Sequence, residues 1–529
     1  MTSAPAESRR GHAAGGRLGR STAVFAFWTG VSRVAGLARE IVAAALFGTG
    51  GPIAAFVIAF QVPNLLRSLV ADSALSAAFV PVFTELDEQG RHREARRLAG
   101  ALFGLISAGL GLITLIAIVT APWVMPLFAP GLPDDLVPTM VTLSQIMFPI
   151  VVLLGLTGLV VGILQAGGQF GPTAFVPVLW NAVILVCLVA VTPVLPEDDR
   201  IYAYAVGILV GTLAQFLYLL PYLRGRGPFP ISLGIGNRYV RRVLLLMLPV
   251  SFGLGLINID LVLNSTIGSR VSDAAPRAID AAFRLYILPQ GVFSVAISTV
   301  LFPTISRLVA RGDVDGLRST VAAGQRQIFF MLLPASAFLM VLSEPIVRLV
   351  YQHGEWDAAS TSATSEALFY FTLGLAFNGA SLLLIRSFFS LQQPWLPTKV
   401  ALGAMVLNAA LDAAFYKPFG VGGIPLSTSL ASLASFAALA WLLGRELGGL
   451  DGEDVIDGFT RSLVASGLLA LLSWSTWRVL DDALGRSLGA QMLSLACAAA
   501  AGLAAYVSAA YALRMPELGA LARLTRPLR

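Results

Sequence analysis

The sequence has 529 residues, of which 56% are hydrophobic and only 12% are charged, with a formal net charge of +6 at pH 7. Soluble globular domains carry about 25% charged residues, so this composition excludes an ordinary soluble protein and indicates a polytopic membrane protein. Long apolar runs cross a bilayer as α-helices, because every backbone polar group must then be hydrogen-bonded internally. The positive charge is therefore attributed to membrane topology, and nucleic-acid binding is not expected.

Apolar runs alternate with short polar connections along the whole chain. We predict an all-α protein of about fourteen transmembrane helices, the first of which is retained and not cleaved as a signal peptide. The predicted spans lie near residues 23–47, 53–84, 98–120, 138–164, 173–194, 202–223, 240–268, 281–306, 326–350, 366–390, 398–417, 424–444, 459–480 and 488–513.

The connections differ in charge according to their position. Arginines concentrate in the N-terminal tail, in the even-numbered connections and in the C-terminal tail, whereas the odd-numbered connections are acidic or mixed. The positive-inside rule then places both termini in the cytoplasm. The basic stretch RHREARRLAG, which starts at Arg91, would also attract anionic lipid headgroups, although the topology rule alone explains its charge.

Two short motifs recur at nearly one spacing. The pattern Pro-x-Phe-Thr-x-Leu that begins at Pro81 returns as Pro-x-Ile-Ser-x-Leu at Pro303, and each copy is followed by glycine. A second pattern ends at Asn181 and returns at Asn408. The repeat unit is six spans, so we predict two lobes related by a pseudo-twofold axis along the membrane normal.

The predicted domain boundaries follow from this repeat. They are a cytoplasmic tail at 1–22, an N-lobe at 23–225, a C-lobe at 226–446, two extra helices at 447–514 and a cytoplasmic tail at 515–529. The two extra helices are apolar, and they are interpreted either as a groove for a lipid tail or as lipid-facing packing.

Charged residues occur inside the first two spans. The first span contains Arg33, Arg39 and Glu40, and the second contains Arg67 and Asp72. Charges at membrane depth normally face a protein interior or a wet cavity, and guanidinium groups bind phosphate oxygens in bidentate fashion. Helical spacing predicts that Arg39 faces a cationic cavity while Arg33 pairs with Glu40. The alternative is that these arginines form structural ion pairs with Glu40 and Asp72.

Polar residues form a different pattern in the second half of the chain. Asp260 and Asn264 are one helical turn apart, as are Asn408 and Asp412. Thr428 follows Pro425 near a predicted helix start. Oxygen ligands of this kind suit a hard cation in secondary transporters; the alternative is a polar clamp between helices.

Three stretches resemble the MurJ/MviN family of proposed lipid II flippases, which belongs to an exporter superfamily with two six-helix lobes. They are SRVAGLARE, AFQVPNLLRSLVADSALSAAFVPVF and FRLYILPQGVFSVAISTVLFPTISR. The resemblance implies the substrate-binding residues Ser32, Arg33, Arg39, Arg67, Asp72 and Arg284. It also implies a sodium site formed by Asn264, Asn408, Asp412, the Ile424 carbonyl and Thr428, with Asp260 one turn away.

The chain departs from the family pattern at three places. Ala54 stands where relatives often have a cavity aspartate, Phe283 precedes the arginine of the eighth span where an aspartate is common, and Asp72-Ser73 replaces Glu-Gly. Loss of these acids is expected to make the cavity more cationic. It also puts in doubt any transport cycle in which Ala54 or Phe283 would need a carboxylate.

The resemblance implies a transporter of the bacterial cytoplasmic membrane and not an enzyme. It would move lipid II from the inner to the outer leaflet by alternating access, driven by the membrane potential or by coupled Na⁺ or H⁺. Expected partners are lipid II, membrane lipids and cell-wall synthesis or division proteins. The alternatives are another exporter of the superfamily, for a polysaccharide-linked lipid or an amphipathic drug, a membrane enzyme acting on polyprenyl-phosphate sugars, and a non-transporting scaffold.

Overall fold

The computed structural model describes residues 6–70, 72–225, 229–234 and 236–519, with side chains except at 6–26, 68–70, 72–74, 76–77, 249–250, 252–254 and 256–257. Every regular element in this part of the chain is helical. The α-helices are α1 (Ala6–Phe47), α2 (Pro52–Val70), α3 (Asp72–Glu88), α4 (His92–Val124), α5 (Val137–Met147), α6 (Ile150–Ala166), α7 (Phe170–Val186), α8 (Arg200–Leu219), α9 (Arg238–Gly268), α10 (Ala275–Arg311), α11 (Val314–Val341), α12 (Ser343–Tyr351), α13 (Ala358–Ser390), α14 (Trp395–Phe415), α15 (Gly420–Leu447), α16 (Gly452–Leu484) and α17 (Leu488–Ala512).

Eleven helical segments of the described chain are long and apolar enough to cross a membrane. The chain is therefore a multi-pass membrane protein. Each predicted span falls on one or two of the helices, but α1, α3 and α9 are not among the eleven, and Pro52–Arg67 is counted only as a shorter apolar helix. The predicted number of fourteen spans and the placement of the termini stay predictions.

Proline has different effects in different spans. The fourth predicted span is divided into α5 and α6 next to Pro149, whereas α10 continues through Pro289 and Pro303. Helices in apolar surroundings tolerate internal proline because the freed backbone groups are satisfied by neighbouring helices and side chains. Proline positions alone therefore do not give the helix boundaries.

The chain divides into two compact units. Unit 1 comprises Met1–Phe47 and Gly51–Val262, and unit 2 comprises Gly48–Gly50 and Leu263–Arg529. The change from one unit to the other falls inside α9. The predicted lobe boundaries, with a change at residues 225–226, and the pseudo-twofold axis stay predictions, as do the two tails. Residues 1–5 and 520–529 of those tails lie outside the described residues.

Unit 1 is held together by a large apolar core. In this unit α1 packs on α7, α7 on α8, α2 on α5 and α3 on α6. Phe79, Leu98 and Met140 are among its fully buried core residues. Ala54 is also fully buried there, so the position aligned with a family aspartate is surrounded by apolar side chains, where a carboxylate would be costly.

Unit 2 is organised around α13, which packs on α10, α11 and α15. The helices approach closely where small residues meet. A Cβ atom on Gly374 would lie 2.6 Å from the Ser429 Cα atom of α15, so only glycine allows this approach. Small residues at helix contacts are typical of membrane bundles, in which van der Waals packing drives association.

The terminal hairpin, α16 and α17, packs on α11. Near the α16–α17 turn, Arg348 forms a 2.5 Å ion pair with Asp481. At the opposite end, Arg326 lies 3.1 Å from a carboxylate oxygen of Glu517. Between them, the Tyr506 hydroxyl donates to a backbone carbonyl of α11 at 2.6 Å. The hairpin is therefore attached to α11 and α12 along its length. The lipid-tail groove predicted for these two helices stays a prediction.

The two copies of the first repeated motif have the same local structure. Gly90 follows the end of α3 with φ of 75°, and Gly312 follows the end of α10 with φ of 68°. This left-handed conformation is common just after helix ends and favours glycine. The next helix starts with an aspartate cap in the second copy, where Asp313 accepts from the Gly316 backbone N–H. The recurrence of the motif thus reflects a recurrent helix–turn–helix geometry.

Candidate functional site

Arg39 and Glu40 of α1 form an ion pair with a distance of 2.6 Å between guanidinium and carboxylate atoms. Both side chains are buried. The Arg39 guanidinium also lies over the Trp180 ring of α7, 4.8 Å from its centroid, in a cation–π contact. The prediction that Arg33 pairs with Glu40 is therefore wrong, because Arg39 pairs with this carboxylate. The predicted position of Arg39 at a substrate cavity stays a prediction.

Arg33 is exposed and forms no ion pair with any residue that the structure describes. Next to it, the Ser32 carbonyl accepts a hydrogen bond of 3.4 Å from the Asn181 side chain of α7. The Ser32–Asn181 contact attaches α1 to α7 and leaves the Arg33 guanidinium accessible. Of Arg33 and Arg39, Arg33 is thus the better placed for an external anion.

Arg67 of α2 is held by a chain of carboxamides. Its Nε donates to Asn64 Oδ1 at 3.0 Å, and Asn64 Nδ2 donates to Asn258 Oδ1 of α9 at 3.1 Å. The Asp72 side chain lies outside the described residues, so the predicted pairing of Asp72 with an arginine stays a prediction. Asn64 and Asn258 were not predicted from the sequence. The three-residue spacing of Asn64 and Arg67 on one helix indicates that their side chains can form a hydrogen bond.

Arg284 of α10 is oriented by an acid that the sequence analysis missed. Its Nε donates to Asp280 at 2.9 Å, and Arg277 contacts the same carboxylate at 3.3 Å. Phe283 instead packs against Tyr286 and Phe371. Asp280 thus places a carboxylate beside Arg284, although position 283 has none. The four-residue spacing of Asp280 and Arg284 could have revealed it.

Two pairs of the predicted ion-binding residues of unit 2 form hydrogen bonds, one between α14 and α9 and one within α15. Asn408 of α14 donates to Asn264 Oδ1 of α9 at 3.0 Å. The Ile424 side chain of α15 lies beside Gly268 at the end of α9. Thr428 donates to the Ile424 carbonyl at 3.2 Å. The structure thus brings the Asn408 and Asn264 carboxamides together and places the Ile424 side chain beside the end of α9.

Asp412 and Asp260 differ in their surroundings. Asp412 is fully buried on α14, one turn beyond Asn408. Asp260 is partly exposed and belongs to unit 1, unlike the other five residues of the predicted set. Asp412 is therefore the acid that unit 2 contributes to this set.

The donor set fits a small hard cation in its chemistry, since carboxylate, carboxamide, hydroxyl and backbone carbonyl oxygens are the ligands that such cations take. Asn264 Oδ1 and the Ile424 carbonyl already accept hydrogen bonds from Asn408 and Thr428, but each oxygen has a second lone pair. The same hydrogen bonds are equally expected of a polar clamp that only holds the helices together. The sodium or proton site stays a prediction.

A further polar chain crosses unit 2 from α10 to α15. Gln290 donates to Asn378 Oδ1 of α13 at 2.5 Å, and Asn378 donates to Ser432 Oγ of α15 at 3.3 Å. Ser432 in turn donates to the Thr428 carbonyl at 2.8 Å. Sequence analysis missed this chain because its residues lie far apart in sequence and have no local pattern. It connects the helix of Arg284 with the helix of Thr428.

These features define a class, the multi-pass helical membrane proteins, and solved structures show the same fold. The chain matches a structure titled "Lipid II flippase MurJ, inward closed conformation" with a TM-score of 0.77 and 22% identity, covering 92% of this chain and 97% of that one. It matches an inward-facing multidrug resistance MATE family transporter of the MOP superfamily with a TM-score of 0.66 and 15% identity, covering 79% and 95%.

Sequence comparison gives the family. The family model "Lipid II flippase MurJ" matches residues 43–485. A lipid II flippase MurJ of Burkholderia cenocepacia is 32% identical over 413 residues, covering 77% of this chain and 80% of the relative. A probable lipid II flippase MurJ of Rhizobium meliloti is 29% identical over 509 residues, covering 93% of both. The chain belongs to the lipid II flippase MurJ family, and the resemblance seen in the sequence is confirmed.

Proposed function

We propose that this protein moves lipid II from the inner to the outer leaflet of the bacterial cytoplasmic membrane by alternating access. The observation that carries the proposal is the family match over residues 43–485, together with relatives named as lipid II flippases. The polar head of lipid II cannot cross hydrocarbon unaided, so a carrier has to supply polar groups along its path.

Arginine guanidinium groups would bind the pyrophosphate of lipid II. Accessible guanidinium groups are available on Arg33 and on Arg284, whose side chain is 37% exposed. Asp280 orients Arg284, and Asn64 orients Arg67. Arg39, which is buried and paired with Glu40, would hold α1 on α7 more than contact the pyrophosphate. The hairpin of α16 and α17 would hold the polyprenyl tail.

The membrane potential would supply the driving force. Moving one elementary charge across 100 mV changes the free energy by about 2.3 kcal/mol, and an anionic head that leaves a negative interior moves in the favourable direction. Coupled Na⁺ or H⁺ at Asn264, Asn408, Asp412, Ile424 and Thr428 would add to it, with Asp412 as the acid that balances the cation.

Complementation tests this proposal directly. A bacterium whose own lipid II flippase can be depleted would express the intact chain, Arg33→Ala, Arg284→Ala or the control Arg307→Ala, at matched membrane levels. Arg307 lies on α10, as Arg284 does, but its hydrogen bonds go to its own helix. Because Asp280 keeps Arg277 as a partner in Arg284→Ala, this variant should still fold.

We expect growth with the intact chain and with Arg307→Ala, and failure with Arg33→Ala and Arg284→Ala. Rescue by all four proteins would contradict the role of the arginines while leaving lipid II transport standing. No rescue by a well-expressed intact chain would contradict the proposed function and would favour a diverged exporter or a scaffold.

A further inference from the structure

A pocket lies at one end of unit 1, between the first turns of α4 and the segment that precedes α9. Its lining residues are Arg97, Pro230, Ser232, Leu233, Gly234 and Asn237. None of them belongs to the predicted substrate or ion sites. The loop charges predict that this end of the unit faces the cytoplasm.

The pocket is built on closely packed backbone. Cβ atoms on Gly100 and Gly104 of α4 would overlap the carbonyl oxygens of Pro230 and Ser232. The Ser232 backbone N–H donates to the Gly100 carbonyl at 3.4 Å. The segment therefore lies directly on the glycine face of α4, and its position is fixed by that contact.

Arg97 is the charged residue of the lining. It is exposed and forms no ion pair or hydrogen bond within the described part of the chain. Neighbouring arginines are engaged by protein groups, since Arg91 pairs with Glu94 at 2.7 Å and Arg242 pairs with Glu85 at 2.9 Å. The glutamate contact also raises the pKa of Arg91. Arg97 is thus available to an anion from outside the protein.

Neutral hydrogen-bond donors accompany this charge. Asn237 Oδ1 accepts from the Tyr239 backbone N–H at 2.9 Å at the start of α9, which directs its amide N–H₂ group away from that contact and leaves it to donate. Ser232 adds a hydroxyl group. One guanidinium with an amide and a hydroxyl is a donor set suited to a phosphate group.

Large apolar side chains stand beside the pocket. Ile231 is 77% exposed and Leu233 is 49% exposed. Exposed aliphatic residues next to arginine are typical of segments that lie at the boundary between lipid headgroups and acyl chains. A soluble phosphate compound would give these two side chains no apolar surroundings, whereas a phospholipid would.

We propose that this pocket binds the phosphate of an anionic phospholipid of the cytoplasmic leaflet. Arg97 contacts the phosphate, Ser232 and Asn237 donate to it, and Ile231 and Leu233 enter the acyl region. This lipid anchors the start of α9 on α4. The site is distinct from lipid II transport and does not depend on it.

Native mass spectrometry of the delipidated full chain in detergent would test the site, with phosphatidylglycerol, phosphatidylcholine of the same acyl chains and glycerol phosphate as probes. The variants are Arg97→Gln and the control Arg93→Gln, since Arg93 is an exposed arginine one turn away that does not line the pocket. We expect phosphatidylglycerol to bind in preference to the other two probes. We expect Arg97→Gln to weaken the affinity for phosphatidylglycerol by about five- to tenfold and Arg93→Gln to change this affinity less than about twofold.

Equal losses of phosphatidylglycerol affinity in Arg97→Gln and Arg93→Gln would overturn the proposal, because they would indicate general attraction of the lipid to a basic surface. Equal binding of glycerol phosphate and phosphatidylglycerol, both dependent on Arg97, would overturn the lipid assignment in favour of a soluble phosphate ligand. Unchanged binding in Ile231→Ser/Leu233→Ser would overturn the insertion of these side chains. Matched thermal unfolding temperatures show that each variant is folded.

Discussion

Arg39 and Glu40 are adjacent in sequence, and their side chains are both buried in unit 1. Neighbouring residues on a helix do not normally face each other, so the 2.6 Å contact depends on the reach of the arginine and on its position over Trp180. Removing one partner of a buried pair leaves an uncompensated charge. A single substitution here therefore affects folding before it affects any ligand.

We expect Arg39→Met and Glu40→Gln each to destabilise the protein by about 3–5 kcal/mol. The double variant Arg39→Met/Glu40→Gln should lie closer to the wild type, because it removes both charges. Thermal unfolding of the purified chain in detergent, followed by intrinsic fluorescence, measures this. If the double variant is destabilised by the sum of the destabilisations of the two single variants, the pair contributes no coupling energy. The interpretation of Arg39 and Glu40 as a stabilising pair would then be wrong.

The sequence was sufficient to place charged residues of α1 and α10 inside apolar helices, but not to assign their partners. Arg39 turns towards Trp180, which lies on a helix more than a hundred positions later in the chain. Partner choice depends on such packing and has no local signal. Asp280 and Arg284 are the opposite case, because their four-residue spacing within one helix made the contact predictable.

The contact of α13 with α15 depends on one glycine. Gly374 faces the backbone of Ser429 so closely that a methyl group would force the helices apart. Overpacking of this kind typically costs about 1–3 kcal/mol. In contrast, a Cβ atom on Gly403 of α14 would meet nothing within 4 Å.

Gly374→Ala should therefore destabilise the protein by about 1–3 kcal/mol. Gly403→Ala, the matched control, should be neutral or stabilising by up to about 1 kcal/mol, since alanine is the better helix former. The unfolding temperatures of the two purified variants can be compared with the wild type. If Gly403→Ala lowered the unfolding temperature as much as Gly374→Ala, the proposed effect of the close Gly374–Ser429 contact would be contradicted.

Most helices were predictable from apolar runs, because a run long enough to cross a bilayer has no other stable conformation there. Their interruptions were not. The fourth predicted span is occupied by α5 and α6, and the ninth by α11 and α12. The start of a helix can likewise lie outside the predicted span. Asp357 could be identified as a cap of α13 only in the structure, where the Ser360 backbone N–H holds the pKa of its carboxyl below the usual value.

At the scale of the whole molecule, the terminal hairpin depends on Asp481. This carboxylate is 6% exposed and pairs with Arg348, whereas the adjacent Asp482 is 65% exposed and lies 3.6 Å from Arg478. Buried pairs are strongly destabilised by loss of one partner, while surface pairs contribute about 0–1 kcal/mol. The two neighbouring aspartates therefore form a natural comparison.

We expect Asp481→Asn to destabilise the attachment of the hairpin by about 3–5 kcal/mol and Asp482→Asn to change it by less than about 1 kcal/mol. Limited proteolysis with chymotrypsin measures the difference, because detachment of the hairpin would expose Trp477, which is buried one turn before Asp481, to cleavage. The same cleavage rate in both variants would show that the Arg348–Asp481 pair does not hold the hairpin.

The attachment of the hairpin at both ends has a consequence for small molecules. A compound that separates the hairpin from α11 and α12 along its whole length would have to break both the Arg348–Asp481 and the Arg326–Glu517 contacts, so this seam offers no easy entry. The outer face of the hairpin carries exposed aliphatic residues such as Leu463, Leu468 and Leu471. An inhibitor directed at the hairpin should therefore be a lipophilic one that reaches this outer face from within the bilayer, and resistance to it would arise from substitutions on that face alone.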